Sequence, residues 1–115
     1  MNSTTACEND ILHISCNAGS VIHIISSMYG RMDRLTCSTE NPSSSGSTYY
    51  GCQETDGLSV VKQNCEGHQN CSLLVTPENF GLDGSRWCEY MSDKYLKVTY
   101  GCVNGRLWNN RVPYC

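Results

Sequence analysis

The chain has 115 residues, a formal net charge of −3 and a sequence pI near 5.5. That length suits one domain, and the acidic balance excludes the basic footprint of a nucleic-acid binder. Nine cysteines in so short a chain approach the density of a disulfide scaffold, which belongs to an oxidising, extracellular setting.

The opening "MNSTTACEND" has neither the basic nor the apolar part of a signal peptide. A chain this rich in cysteine should still be exported, so Met1 is read as an artificial start or as following a removed leader. No run of about 18 apolar residues predicts membrane insertion. Asn2 in "NST" and Asn70 in "NCS" fit the N-glycosylation acceptor pattern.

"DILHISC" alternates, with Leu12, Ile14 and Cys16 on one face and Ile11, His13 and Ser15 on the other, which predicts a strand. "NAGS" predicts a turn, and "VIHIIS" a second strand, so the two are expected to pair as a hairpin. The second strand runs into "MYGR", Met28 to Arg31, which suits a strand exit or the floor of a binding site. Ser38 to Gly51, rich in Ser, Gly and Pro, reads as a surface loop pinned by Cys37 and Cys52. Leu58, Val61, Lys62 and Cys65 fall at helical spacing in "GLSVVKQNC", and "CSLLVT" reads as a third strand. One helical turn is expected at Pro77 to Phe80, inside an otherwise irregular stretch. "KYLKVTYGC" alternates again, with Leu96, Val98, Tyr100 and Cys102 on one face and Tyr95, Lys97 and Thr99 on the other. If the first and last strands share a sheet, Cys16 and Cys102 meet in the core, a link worth roughly 4–5 kcal/mol in the chain-entropy model.

Catalytic and metal constellations are weak. "CEGHQNC" sets Cys65, His68 and Cys71 at ligand spacing, but structural zinc takes four ligands from paired clusters, so a Cys65–Cys71 disulfide is the expected state. A thiol nucleophile must be free and partnered by a base, yet eight of the cysteines can pair. No G-x-S-x-G elbow and no calcium loop appears. His13 and His23 are read as a solvated cross-strand pair. The expectation is a non-enzyme with no cofactor and no metal. A sugar site needs a carboxylate, a donor and an aromatic face; Glu8, Lys94 and Tyr29 are of those types.

The order of motifs carries more. "ACEND-LHISC", "VIHIISSMYGR", "VVKQNCEGHQNCSLLV", "NFG" and "KYLKVTYGC" together resemble the sea-urchin-egg-lectin-type domain. This is the rhamnose- or galactose-binding module of egg lectins and latrophilin receptors. The resemblance covers Ala6 to Cys102. It implies an α/β fold of the α+β type, a small disulfide-rich domain with an antiparallel sheet and short flanking helices. It divides the chain into a leader segment 1–6, a lectin domain 7–102 and a tail 103–115. Of the 105 pairings open to eight cysteines, it implies Cys7–Cys37, Cys16–Cys102, Cys52–Cys88 and Cys65–Cys71. Cys115 is left over, for a free thiol or a disulfide-linked homodimer.

For the site, the resemblance implies that Tyr29 lies at the sugar pocket and that Glu8 and Lys94 bind hydroxyls. Gly30 allows the strand exit and Arg31 supports the site from beneath. The chain departs from the family at one wall of the pocket. Family sugar binders carry "FGDPC" and then "GTYKYL", where this chain reads "FGLDGSRWCEYMSDKYL". Asp83 or Asp93 is the candidate for the missing carboxylate. Two function classes follow. One is a secreted, calcium-independent lectin for galactose- or rhamnose-like glycans, cell-surface glycoproteins included. The other is an extracellular adhesion or receptor module that binds a protein and keeps a vestigial sugar site.

Overall fold

A computed structural model describes residues 1–33, 36–37, 52–81 and 94–107, with backbone only for 52–54. The strands are β1 (Asn2–Cys7), β2 (Ile11–Ser15), β3 (Ser20–Arg31), β4 (Cys52–Thr55), β5 (Asn70–Leu74) and β6 (Tyr95–Asn104). Helix α1 (Leu58–Cys65) and a 3-10 turn (Glu78–Phe80) lie between the strands, and residues 105–107, after β6, are helical as well. The strands form two antiparallel sheets, one ordered β1-β6-β3-β4 and one made of β2 and β5. This is a small disulfide-rich α+β domain.

The β2–β5 ribbon follows from strict alternation. Leu12 pairs with Leu73 and Ile14 with Cys71, and all four are buried. The outer face carries Ile11, His13 and Ser15 opposite Leu74, Ser72 and Asn70. The expected hairpin between β2 and β3 does not form, because β2 pairs with β5. The turn after β2, closed by Ser20 N–H donating to Asn17 C=O at 2.9 Å, carries the chain from one sheet to the other. The backbone groups that a hairpin would need are taken by residues 67–69. Cys16 N–H donates to Gln69 C=O, Ile22 N–H to His68 C=O, and Gly67 N–H to Ile22 C=O, each at 2.8 Å. His13 and His23 therefore sit on separate sheets and are not a cross-strand pair. His13 Nδ1 meets Ser72 Oγ at 2.9 Å, and His23 Nδ1 meets Glu66 Oε2 at 2.8 Å.

β3 changes phase part-way. Ile22 and Ile24 pair with Cys102 and Tyr100, whereas Ser27 and Tyr29 pair with Val98 and Leu96. All four partners are even-numbered residues of β6, so even residues of early β3 and odd residues of late β3 share one face. The switch is a bulge between Ile24 and Ser26, with Ile25 left 44% exposed. A one-residue slip exchanges the two faces of a strand, and a bulge makes that slip locally. Without it, Tyr29 would point away from the core.

β1 was not foreseen. Polar "NST" hides the pattern, but β1 pairs with the start of β6 and buries Ala6 opposite Leu96. β6 is thus a central strand, and its first residues are covered on both sides. Tyr95, expected on the outer face, is 4% exposed, and its hydroxyl accepts from Met32 N–H at 3.1 Å. α1 lays Val61 and Cys65 on the core; Lys62, at matching helical spacing, is exposed.

Three disulfides join described residues. Cys65–Cys71 ties α1 to β5, and Cys7–Cys37 ties the end of β1 to the segment after β3. Cys16–Cys102 spans 86 residues. It joins the end of the ribbon to the larger sheet, so the condition of a shared sheet is not met; Cys16 is buried and Cys102 is exposed. Cys52–Cys88, the Ser38–Gly51 loop and Cys115 lie outside the described residues or side chains.

Candidate functional site

Tyr29 is fully buried, with 0% exposure. Its ring packs against Phe80, centroids 5.0 Å apart and planes tilted by 41°. The ring is therefore core, not a platform for a ligand, and the hydroxyl is the end that reaches the site. There it donates to Glu8 Oε2. "MYGR" is accordingly strand and floor at once: β3 runs through Arg31, and Arg31 itself is buried at 3% exposure.

Glu8 is held by local backbone geometry. It sits in the turn between β1 and β2, closed by Asp10 N–H donating to Cys7 C=O at 2.9 Å. Asn9 adopts φ 75°, in the left-handed region that asparagine tolerates better than most residues. Asn9 N–H donates to Val75 C=O at 2.7 Å, and Val75 N–H donates to Asp10 C=O at 2.9 Å. Glu8 N–H donates to Lys94 C=O at 2.9 Å, so the backbones of the two charged residues are joined.

Lys94 precedes β6 and is only 5% exposed. Its Nζ lies 3.8 Å from Glu8 Oε2. A buried ammonium is costly without a countercharge, and Glu8 supplies one. The same carboxylate oxygen thus receives the tyrosine hydroxyl and faces the lysine, while the Glu8 side chain stays 17% exposed. This is a polar centre set at the edge of an apolar core. It suits recognition of adjacent hydroxyls: a carboxylate accepts from one and an ammonium donates to the next.

Two supporting residues escaped the sequence reading. Phe80, the only phenylalanine in the chain, wedges under Tyr29 from the 3-10 turn. Gly57 makes room for it. Gly57 sits at φ 62°, ψ 16° before α1, and a Cβ there would lie 2.6 Å from Phe80 Cε1. The signal for Gly57 was weak: a glycine before a helix reads as an ordinary boundary. Asp83 and Asp93 lie outside the described residues.

Residues 14–102 match the profile of the D-galactoside/L-rhamnose binding SUEL lectin domain. The chain belongs to that lectin domain family. The family is a carbohydrate-binding one and not a catalytic one. The match begins after Glu8, so that residue joins the site through the fold.

Among relatives, the lectin domain is 35% identical over 103 residues to L-rhamnose-binding lectin CSL1 of Oncorhynchus keta, covering 90% of this chain and 32% of that protein. It is 31% identical over 97 residues to L-rhamnose-binding lectin ELEL-1 of Echinometra lucunter, covering 84% of this chain and 85% of that one. It is 32% identical over 111 residues to protein eva-1 homolog C of Homo sapiens, covering 96% of this chain and 24% of that protein. The chain thus spans about a quarter of the human relative. No helix among the described residues is long and apolar enough to cross a membrane.

Proposed function

We propose that this domain binds neutral sugars of the galactose and rhamnose type through Glu8 and Lys94, outside the cell and without calcium. The observation that carries the reading is the convergence of Tyr29, Glu8 and Lys94 on one carboxylate oxygen. Tyr29 occupies Oε2 of Glu8. Oε1 accepts no hydrogen bond among the described residues and is the acceptor for a sugar hydroxyl. Lys94 donates to the neighbouring hydroxyl. Its ammonium also supplies the positive charge that a calcium ion provides in metal-dependent recognition. Three disulfides suit the oxidising exterior, and two rhamnose-binding relatives share the domain.

Titration calorimetry with rhamnose and galactose, with and without chelator, tests the proposal. A small sugar buries little area, so binding is expected to be weak and unmoved by chelator. Glu8→Gln preserves side-chain size but weakens the acceptor. It is expected to lower affinity by about tenfold to a hundredfold, as a lost charged hydrogen bond of roughly 1.5–3 kcal/mol requires. Unchanged affinity would place the site elsewhere.

One observation favours a second reading: the domain is a quarter of its human relative. In that reading it is one module of a larger extracellular protein and binds a protein partner. Failure of the wild type to bind any glycan on an array would favour it.

A further inference from the structure

The acceptor pattern at Asn70 has no part in the sugar site, and the fold gives it a particular setting. Asn70 opens β5 and is exposed. Its Oδ1 accepts from Ser15 Oγ at 2.5 Å across the ribbon. Its Nδ2 has no protein hydrogen-bond partner among the described residues. Ser72, the third residue of the pattern, is exposed on the same outer face. Between them Cys71 turns inward, 7% exposed, and is bonded to Cys65.

We propose that Asn70 carries an N-linked glycan, added before the Cys65–Cys71 disulfide closes, so that folding and modification compete at this one site. The proposal rests on passage through the secretory compartment, part of the reading above. In the transfer, Asn70 Nδ2 displaces a lipid pyrophosphate from the anomeric carbon of a lipid-linked oligosaccharide. One N–C bond forms, one C–O bond breaks, and the amide proton leaves to the transferase's base. No electrons are exchanged.

The geometry sets both halves of this competition. In the folded ribbon, residues 70–74 are locked in register against β2, so the transferase must meet the segment before it pairs. After folding, the outer face leaves room for the glycan, because Ile11, His13, Ser15, Ser72 and Leu74 beside it are all exposed. The opposing event is local. Cys65 and Cys71 are six residues apart, and closing so short a loop takes well under a microsecond. Disulfide chemistry itself takes seconds or longer, while synthesis proceeds at about 5–20 residues per second. Neither process outruns the other by a wide margin, so occupancy at Asn70 is partial.

The test is secretion of the full chain from a eukaryotic host behind an added leader, followed by amidase release of glycans in heavy-oxygen water and peptide mass spectrometry. Two populations are expected, with Asn70 labelled in one and unlabelled in the other. Asn70→Gln and Ser72→Ala each abolish the label at this position. Cys65→Ser with Cys71→Ser removes the competing bond and raises occupancy at least twofold. That occupancy is read on the intracellular chain, so the result stands even if the variant does not fold. Asn2, in the other acceptor pattern, reports whether the chain met the transferase. Labelled Asn2 with unlabelled Asn70 overturns the proposal, as does occupancy indifferent to the cysteine changes. Galactose and rhamnose binding of the Asn70→Gln protein is expected to match wild type, so a failed lectin assay and a failed glycan assay are separate results.

Discussion

The two strand systems that enclose the core are built by different rules. In the β2–β5 ribbon every second residue is buried, on both strands, without exception. In β3 the same alternation runs for Ile22 and Ile24 and breaks at Ile25; beyond the bulge the pairing with β6 is out of phase, and Tyr29, Gly30 and Arg31 are buried in succession. The ribbon's regularity yields a purely apolar inner face. The break in β3 brings a tyrosine hydroxyl inward, and that hydroxyl anchors Glu8. Regular alternation builds this core; its interruption builds the polar cluster of Tyr29, Glu8 and Lys94, the candidate site.

Deletion of Ile25 is the strongest way to break that contrast. Without the extra residue, one half of β3 must present its other face. Either Tyr29 leaves the core and uncovers Phe80, or Ile22 and Ile24 leave it. Each fully buried apolar side chain contributes roughly 1.5–3 kcal/mol, so a loss of about 3 kcal/mol or more is expected, together with loss of sugar binding. Urea denaturation with disulfides intact measures it. A midpoint close to wild type would show that the bulge does not set the phase.

Gly57→Ala should act next most strongly, on the supports of the site alone. A left-handed residue other than glycine costs about 1–2 kcal/mol. Moving Phe80 to make room adds roughly 1–3 kcal/mol of overpacking strain. Phe80 carries Tyr29, and Tyr29 holds Glu8, so sugar affinity is expected to fall with stability. Thermal denaturation and calorimetry on the same sample check both. Lost stability with unchanged affinity would mean that Phe80 does not position the tyrosine.

The same contrast explains what could be read in advance. The ribbon strands, α1 and β6 were visible because their apolar residues keep a constant period. β1 was not, because "NSTT" is polar and earns its place only by pairing with β6 at a free sheet edge. The hairpin expectation assumed that neighbours in sequence pair, while residues 67–69 claimed the backbone groups it needed. At the site, Tyr29, Glu8 and Lys94 came from motif resemblance and not from pattern. Parity counted through Ile25 without the bulge would have pointed Tyr29 outward. Phe80 and Gly57 were out of reach, since their fit exists only once the 3-10 turn lies over β3.

The smallest expected effect sharpens the comparison from the ribbon's side. Ile11 and Leu74 are cross-strand partners on its outer face, 62% and 44% exposed. Leu12, one residue along from Ile11, is 1% exposed. If strict alternation alone organises the ribbon, the outer pair contributes only its mutual contact, about 0.2–1 kcal/mol. Ile11→Thr keeps a β-branched residue in the strand and removes part of that contact. Stability is therefore expected to fall by less than about 1 kcal/mol, within reach of careful urea titration, and sugar affinity should not change. A loss of several kcal/mol would mean that the outer face is covered and that the ribbon, like the start of β6, is buried on both sides.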